Sequence, residues 1–308
     1  MLDVGRGRAE LDVGCWMLEV GAGGMSEITV IIPARDEAVH IARCVASARE
    51  LGRVIVVDSG STDATREIAA SSGAEVVEHA WEGHAAQKNW ALGHLDIGTE
   101  WVLFLDADEY LLEETVAEMR EAIRSDDAAG YELPRRYIFL GKELRHAWWY
   151  PDYQLRLFRR EGARCEDVQV HEHMIVDGPV QQLRAPIMHE NLKGLSAFVA
   201  RHNRYSDLEA AELANPASNR KRGSFTGSWA ERRRALKDRV WFRLPMRPVV
   251  RFLWLYFVKR GFLDGRRGLL FCYLIAMYDF LIDVKLLERR LAAAAEPMAA
   301  PARMEVQP

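Results

Sequence analysis

The sequence predicts an α/β fold built on a mostly parallel sheet flanked by helices. Three observations carry that prediction. The runs Ile28-Thr-Val-Ile-Ile32, Val54-Ile-Val-Val57 and Trp101-Val-Leu-Phe-Leu105 are continuously apolar instead of alternating, as strands covered on both faces are. Between them apolar residues recur at helical spacing, as at Ile41, Val45 and Ala48. Each run then breaks into a polar segment, Pro33-Ala-Arg-Asp-Glu37, Asp58-Ser-Gly-Ser61 or Asp106-Ala-Asp108. Ligands of such sheets bind outside the carboxyl ends of the strands, where these segments fall.

In chain order, residues 1–24 are Gly-rich, carry Asp3, Arg6, Arg8, Glu10, Asp12 and Glu19, and lack the apolar core of a signal peptide. They are expected to be a disordered or mis-called extension, with Met25 as an alternative start. The alternating strand and helix pattern begins at Ile28. After the second strand, Ser61-Thr-Asp-Ala-Thr-Arg-Glu67 opens a short helix closed by Gly73, because Ser and Thr side chains cap helix starts and Gly ends helices without strain. Val76-Val77 continues the sheet. Beyond residue 130 longer mixed strands follow, Tyr131 to Leu140 and Tyr153 to Arg159, and then a helix from Leu195 to Leu213.

From Arg220 the texture changes again. Basic residues, among them Arg232, Arg233, Arg234, Arg247 and Arg251, are interleaved with Trp229, Trp241, Phe252, Trp254 and Phe257. That mixture resembles an amphipathic helical anchor lying on an anionic membrane surface. The longest apolar stretch, Gly268 to Tyr278, is too short for the roughly 20 residues of a spanning helix, so no transmembrane segment is expected. The Ala- and Pro-rich end after Leu291 reads as a disordered tail. The expected organisation is thus 1–24 extension, 25–215 catalytic α/β domain, 216–290 membrane-associating helical region and 291–308 tail.

Composition narrows the class. With 308 residues, 49% of them hydrophobic, the chain can bury a substantial core. A net charge of −4 gives no global reason to bind nucleic acid. Four scattered cysteines, with no CxxC pair, make a reducing, cytosol-facing location the default.

The chemistry sits in the polar segments. On a strand, Asp106 and Asp108 would point the same way and share the ribose and metal region of a nucleotide. Mg²⁺ or Mn²⁺ favours such hard oxygens together with substrate phosphates. The competing reading is a polar strand end ahead of a helix opening at Leu112. Gly60 permits a tight turn between Asp58 and Asp63, whose carboxylates can accept hydrogen bonds from a nucleoside; alternatively they are a turn cap and a helix-start charge. Arg156 is a candidate for binding the leaving diphosphate, since guanidinium grips phosphate bidentately, or it is a strand-surface charge. His189 either completes the metal or diphosphate shell or is structural. Trp148, Trp149 and Tyr150 can stack on a sugar, pack in a core or form a lid.

These motifs make residues 28–190 resemble the family-2 glycosyltransferases of GT-A (Rossmann-like) fold. Val30-Ile-Ile-Pro-Ala-Arg-Asp-Glu37, Asp58-Ser-Gly-Ser-Thr-Asp63 and Phe104-Leu-Asp-Ala-Asp-Glu109 stand where that family has its nucleotide and metal motifs. Tyr153-Gln-Leu-Arg-Leu-Phe-Arg159, Val170-His-Glu172, His189 and Gly261-Phe-Leu-Asp-Gly265 resemble the lipopolysaccharide core-biosynthesis β-glucosyltransferase type in particular.

The resemblance implies that Pro33, Ala34, Arg35 and Glu37 belong to the nucleotide loop, with Pro33, Glu37 and Asp58 lining base and ribose. It puts Asp106 near the ribose and Asp108 on a divalent metal, and makes Lys88 a basic residue near the nucleotide or a solvated helical lysine. Glu172 is the expected base, with Asp152 and Asp167 as rivals. The implied activity is inverting transfer of a hexose from a nucleotide-sugar donor, UDP-linked, to a lipid-linked or lipopolysaccharide-core glycan acceptor. The implied place is the cytoplasmic face of the inner membrane, as a peripheral protein. A polyprenyl-phosphate acceptor and an inert nucleotide-binding scaffold are the alternatives.

Overall fold

In a computed structural model, the residues described are 27–125, 127–148, 150–166, 173–215, 241 and 244–295. Strands β1 (Ile28–Ala34), β2 (Gly52–Asp58), β3 (Glu75–Glu78) and β4 (Trp101–Phe104) form a parallel block in the order β3-β2-β1-β4. The chain winds outward from β1 to β3 and then returns to the other side of β1. This places a topological switch point between the carboxyl ends of β1 and β4, where open α/β sheets bind ligands.

The strands are apolar throughout because both faces are covered. Ile28, Val30, Ile32, Val54, Val56 and Leu103 point into a core with helices α1 (Ile41–Ala48), α2 (Thr65–Ser71) and, further along the chain, α4 (Glu113–Ala122). The alternate positions Ile31, Ile55, Val57, Val102 and Phe104 pack on α3 (His84–His94).

Past β4 the sheet becomes mixed. β5 (Glu109–Leu111), β6 (Gly130–Phe139), β7 (Lys142–Leu144) and β8 (Asp152–Arg159) precede a separate two-stranded ribbon of β9 (Arg164–Cys165) and β10 (Met174–Ile175). β11 (Val180–Gln182) and β12 (Ile187–Glu190) then return to the main sheet. The path from β4 runs β8-β6-β12-β5, with β8 antiparallel to both β4 and β6. This is the mostly parallel, helix-flanked GT-A architecture expected.

The long helix α5 (Gly194–Ala214) follows β12 directly. The last described part is α6 (Arg247–Leu253), a π-helical turn (Trp254–Val258), a 3-10 turn (Gly261–Asp264) and α7 (Gly265–Ala295). The helix therefore runs past Leu291, the expected start of the tail, because its closing alanines are strong helix formers.

The Gly261-to-Gly265 motif is a clasp. Asp264, 4% exposed, accepts the backbone N–H groups of Arg145, His146 and Ala147 at 3.1, 2.9 and 2.7 Å. A Cβ on Gly268 would collide with the Gly261 carbonyl, and one on Gly261 would meet Cys272 Sγ and Leu255 O at 2.9 Å. The two glycines let α7 close onto the loop after β7, forming a third core of Leu144, Ala147, Leu255, Phe271 and Cys272. Cys44, Cys165 and Cys272 are free thiols. Among the described residues no helix is long and apolar enough to cross a membrane.

The expectations for residues 1–24, for the basic segment 216–240, for Trp149, Asp167 and Glu172, and for the tail from 296 lie outside the described residues.

Candidate active site

The three polar segments meet at the switch point and are laced to one another. Asp36 N–H donates to Ser61 Oγ at 2.9 Å, Glu37 N–H to Thr65 Oγ1 at 2.7 Å, and Ala38 N–H to Asp63 at 3.2 Å. Thr62 N–H returns the connection to Asp36 at 2.7 Å, and this backbone bond is the main reason the Asp36 carboxyl titrates below its usual range. Asp58 is fully buried and accepts Gly60 N–H at 3.1 Å, Ser61 N–H at 2.9 Å and the Ser61 hydroxyl. Gly60 holds φ +78°, the left-handed conformation this turn requires. For Asp63, burial pushes the carboxyl up, but the Thr65 hydroxyl and the amides of Ala38 and Thr65 together bring it below its usual range. Asp58 and Asp63 thus shape the loops after β1 and β2 by fixing their backbone. Pro33 and buried Ala34 form the end of β1, whereas Arg35 points to solvent.

Asp106 and Asp108 do not lie on a strand. β4 ends at Phe104, and Glu109 N–H bonds Asp106 O at 2.8 Å, so the pair occupies a turn between β4 and β5. Strand alternation therefore does not set their directions, and each carboxylate has its own partners. Asp106 is gripped by both terminal nitrogens of Arg156, which also donates to Glu109 at 2.7 Å. Arg135 extends the chain of alternating charge, 3.5 Å from Glu109 and 2.8 Å from Asp152. Burial opposes ionisation of Asp106, but the charges of Arg156 and Lys88 overcome it and hold the carboxyl far below the usual range. For Glu109, burial outweighs Arg156, and its carboxyl is raised.

Arg156, expected at the leaving diphosphate, is instead 6% exposed and committed to two carboxylates. It sits on β8, the strand antiparallel to β4. Lys88 is buried on α3 and acts on Asp106 through its charge, so it is not a solvated lysine.

Asp108 faces the other way. Its Oδ2 lies 3.7 Å from His189 Nε2, 3.7 Å from Arg201 Nη1 and 3.3 Å from Asn191 Nδ2, and its carbonyl accepts Glu190 N–H at 3.0 Å. Burial lowers the His189 pKa to about 4 against the pull of Asp108, so the imidazole is neutral at pH 7. Tyr137 packs edge-on to that ring at 4.8 Å, and His189 Nδ1 is buried without a hydrogen-bond partner.

β12 and the segment after it close the cleft, and of their residues only His189 was expected at the site. Lys193 Nζ and His40 Nδ1 each reach Glu37 at 2.6 Å, Leu192 N–H donates to His40 Nε2 at 2.7 Å, and Arg43 pairs with Glu190 at 2.5 Å. Glu37, expected on the nucleoside, is the hub of this latch. Arg201 on α5, a half-open cation beside Asp108, was likewise missed. The polar run His189-Glu-Asn-Leu-Lys193 directly behind the apolar pair Ile187-Met188 was the available signal. Trp148 packs against Tyr137 and Phe271 in the third core, whereas Tyr150 is open and lies under Arg136. Asp152 is held by Arg135 and Gln154, which leaves little freedom for proton transfer.

A divalent ion suits part of this arrangement. The Asp108 carboxylate is the hard donor that Mn²⁺ or Mg²⁺ favours, and the neutral His189 imidazole beside it offers a nitrogen lone pair that suits Mn²⁺ better than Mg²⁺. Among the described residues no group of three or more His, Cys, Asp and Glu forms a complete cage. Phosphate oxygens and water would have to supply the rest, as Mg²⁺ sites on phosphate substrates commonly do.

The family model "Glycosyl transferase family 2" matches residues 29–177. The lipopolysaccharide core biosynthesis glycosyltransferase LpsC of Rhizobium meliloti (strain 1021) is 27% identical over 277 residues, covering 87% of this chain and 94% of that protein. An uncharacterized glycosyltransferase of Rickettsia typhi is 26% identical over 280 residues, 87% of this chain and 89% of its own. Among solved structures, S. aureus TarS 1-349 in complex with UDP is similar with a TM-score of 0.43 at 13% identity, covering 86% of this chain and 92% of that one.

Proposed function

Because the chain belongs to family 2 of the glycosyltransferases, we propose that it is a metal-dependent, inverting hexosyltransferase. In this reading the donor is a UDP-sugar and the acceptor is a lipid-linked or lipopolysaccharide-core saccharide at the cytoplasmic face of the inner membrane. The observation that carries it is the pair Asp108 and neutral His189, set at the switch point beside an Asp106 locked in its ionised form.

Each residue then has a task. The knitted loops of Pro33 to Glu37 and Asp58 to Asp63 form the wall for the nucleoside. Asp106, held by Arg156, accepts from the ribose. Asp108 and His189 would hold a divalent cation, which would supply positive charge to neutralise the departing diphosphate. Arg201 and Lys88 add positive charge to the same region, and Arg201 takes the role first assigned to Arg156. Glu172 removes the acceptor hydroxyl proton as the oxygen attacks the anomeric carbon opposite the leaving group. One displacement of this kind inverts the anomeric centre with no covalent enzyme intermediate.

The C-terminal helices support membrane docking. Met246, Phe257 and Val258 are 71%, 57% and 67% exposed, and together with Leu253, Phe262 and Leu263 they give an open apolar edge. A screen of UDP-, GDP- and dTDP-sugars with Mn²⁺ or Mg²⁺, reading nucleotide release, tests the chemistry. Asp108→Ala is expected to lower release about 10²–10³-fold, the usual size of a lost charge-stabilising contact. Equal release by the variant would remove the metal assignment.

A further inference from the structure

A hollow of about 330 Å³ opens where the sheet meets the C-terminal helices. Phe139 and Leu140 at the end of β6, Leu195 in the first turn of α5 and the turns of α7 from Leu270 to Met277 line it, and no polar atom faces it. Leu140, Leu195, Leu270 and Tyr273 are exposed, so the hollow is open to its surroundings.

The hollow adjoins the catalytic cleft. Tyr137 and Phe139 share one face of β6, about 7 Å apart at the usual strand rise. An aromatic wall joins the two places without a break: His189 to Tyr137 at 4.8 Å, Tyr137 to Trp148 at 5.0 Å, Trp148 to Phe271 at 5.4 Å and Phe271 to Phe139 at 5.3 Å. On the other side, α5 carries Leu195 at the hollow and, about 9 Å along the helix, Arg201 at Asp108.

The rim is cationic. Arg267 Nε donates to the carbonyl of Leu140 at 2.9 Å, and Arg266 and Arg260 are exposed nearby in sequence. The two acidic residues between Leu244 and Ile282, Asp264 and Asp279, are 4% and 5% exposed and engaged internally. A hydrocarbon hollow with arginines at its rim is complementary to a chain bearing an anionic head group. In an isologous dimer the same arginines would face their own copies, which disfavours a second chain as occupant.

We propose that this hollow holds the hydrocarbon chain of a lipid-linked phosphate acceptor, with the phosphate against Arg266 and Arg267 and the sugar end toward Asp108. At roughly 30 Å³ for a water-sized group, the volume takes about ten carbons, the segment nearest the head group. The enzyme then selects its acceptor partly by the lipid. This rests on the glycosyltransferase reading of the cleft, but its site is separate.

The test uses the full chain and dodecyl phosphate carrying a diazirine on its alkyl chain, photolysed and mapped by mass spectrometry, with UDP–Mn²⁺ binding measured in parallel. Labels are expected at Leu195 and between Leu270 and Met277, displaced by plain dodecyl phosphate and not by inorganic phosphate. Met277→Trp, which fills the hollow, is expected to weaken dodecyl phosphate binding at least tenfold with UDP binding and melting temperature unchanged. Labels confined to Phe280–Leu291 or to α6, displacement by inorganic phosphate, or labelling only within a dimer would each overturn the proposal. Loss of UDP binding by the wild type would instead overturn the catalytic reading and leave the lipid site standing.

Discussion

The parallel block and the C-terminal helices treat polarity in opposite ways. Around β1, β2 and β4 the hydrocarbon is inside, with Ile31, Val56 and Leu103 fully buried, and the charges gather at the strand ends. In α6 and α7 several charges are inside. Arg247, 1% exposed, pairs with Asp283, Arg251 reaches buried Asp279 at 2.7 Å, and Tyr278 donates to Glu209 at 3.0 Å. Outside, Leu270, Tyr273, Phe280, Val284, Leu287 and Leu291 form an exposed apolar stripe at spacings of three, four and seven residues along α7. The second arrangement supports the proposed membrane contact, and the clasp at Asp264 fixes the helices that would make it relative to the cleft.

Breaking the charge chain of the first region has the largest expected effect. Arg156→Ala strands Glu109, whose side chain is fully buried, and removes a partner from half-open Asp106, and chemical denaturation should show a loss of about 3 kcal/mol. A loss below about 1 kcal/mol would mean that water reaches Glu109. Next comes the clasp between the regions. Asp264→Ala leaves three amides without their acceptor, at a cost of about 2–3 kcal/mol, and limited proteolysis should cut the loop at Arg145 before the parallel block opens. Simultaneous global unfolding would show the regions to be one cooperative unit.

A smaller effect sharpens the outward polarity. Phe257→Ser with Val258→Ser should lower sedimentation with anionic liposomes about tenfold, since each buried methylene is worth about 0.8 kcal/mol, while stability stays within about 0.5 kcal/mol. Unchanged sedimentation would remove this edge from the membrane contact. The smallest effect is a pH slope. His189 titrates near pH 6.5 when unfolded and about 4 when folded, so the unfolded chain binds the extra proton in between. Its contribution is complete above pH 6.5 and declines as the pH falls toward 4, by at most about 1.4 kcal/mol per unit. His189→Gln should flatten that part of the stability profile, and an identical slope would assign it to other groups.

Much of the fold was legible because each element carried a local signature. The continuous apolar runs are strands covered on both faces, and Gly60 and Gly73 do occupy positive-φ turns. Within the site, the residue positions were legible and several partners were not. Asp106 and Asp108 were recognised by spacing, but the strand geometry used to align them failed, because β4 stops at Phe104. Glu109, Arg135 and Arg201 went unassigned, since the partners they pair with lie 17 to 93 residues away in sequence.

The sequence by itself determined the order of strands and helices, the three loops at the strand ends and the unusual basic-aromatic C-terminus. Those features depend on periodicity and composition within a few neighbouring residues. Only the tertiary structure decided that Arg156 serves Asp106 instead of a phosphate, that His189 is neutral, and that α7 turns hydrocarbon outward beside the cleft. Those outcomes depend on burial and on charges brought together from distant parts of the chain, and both exist only once the chain has closed on itself.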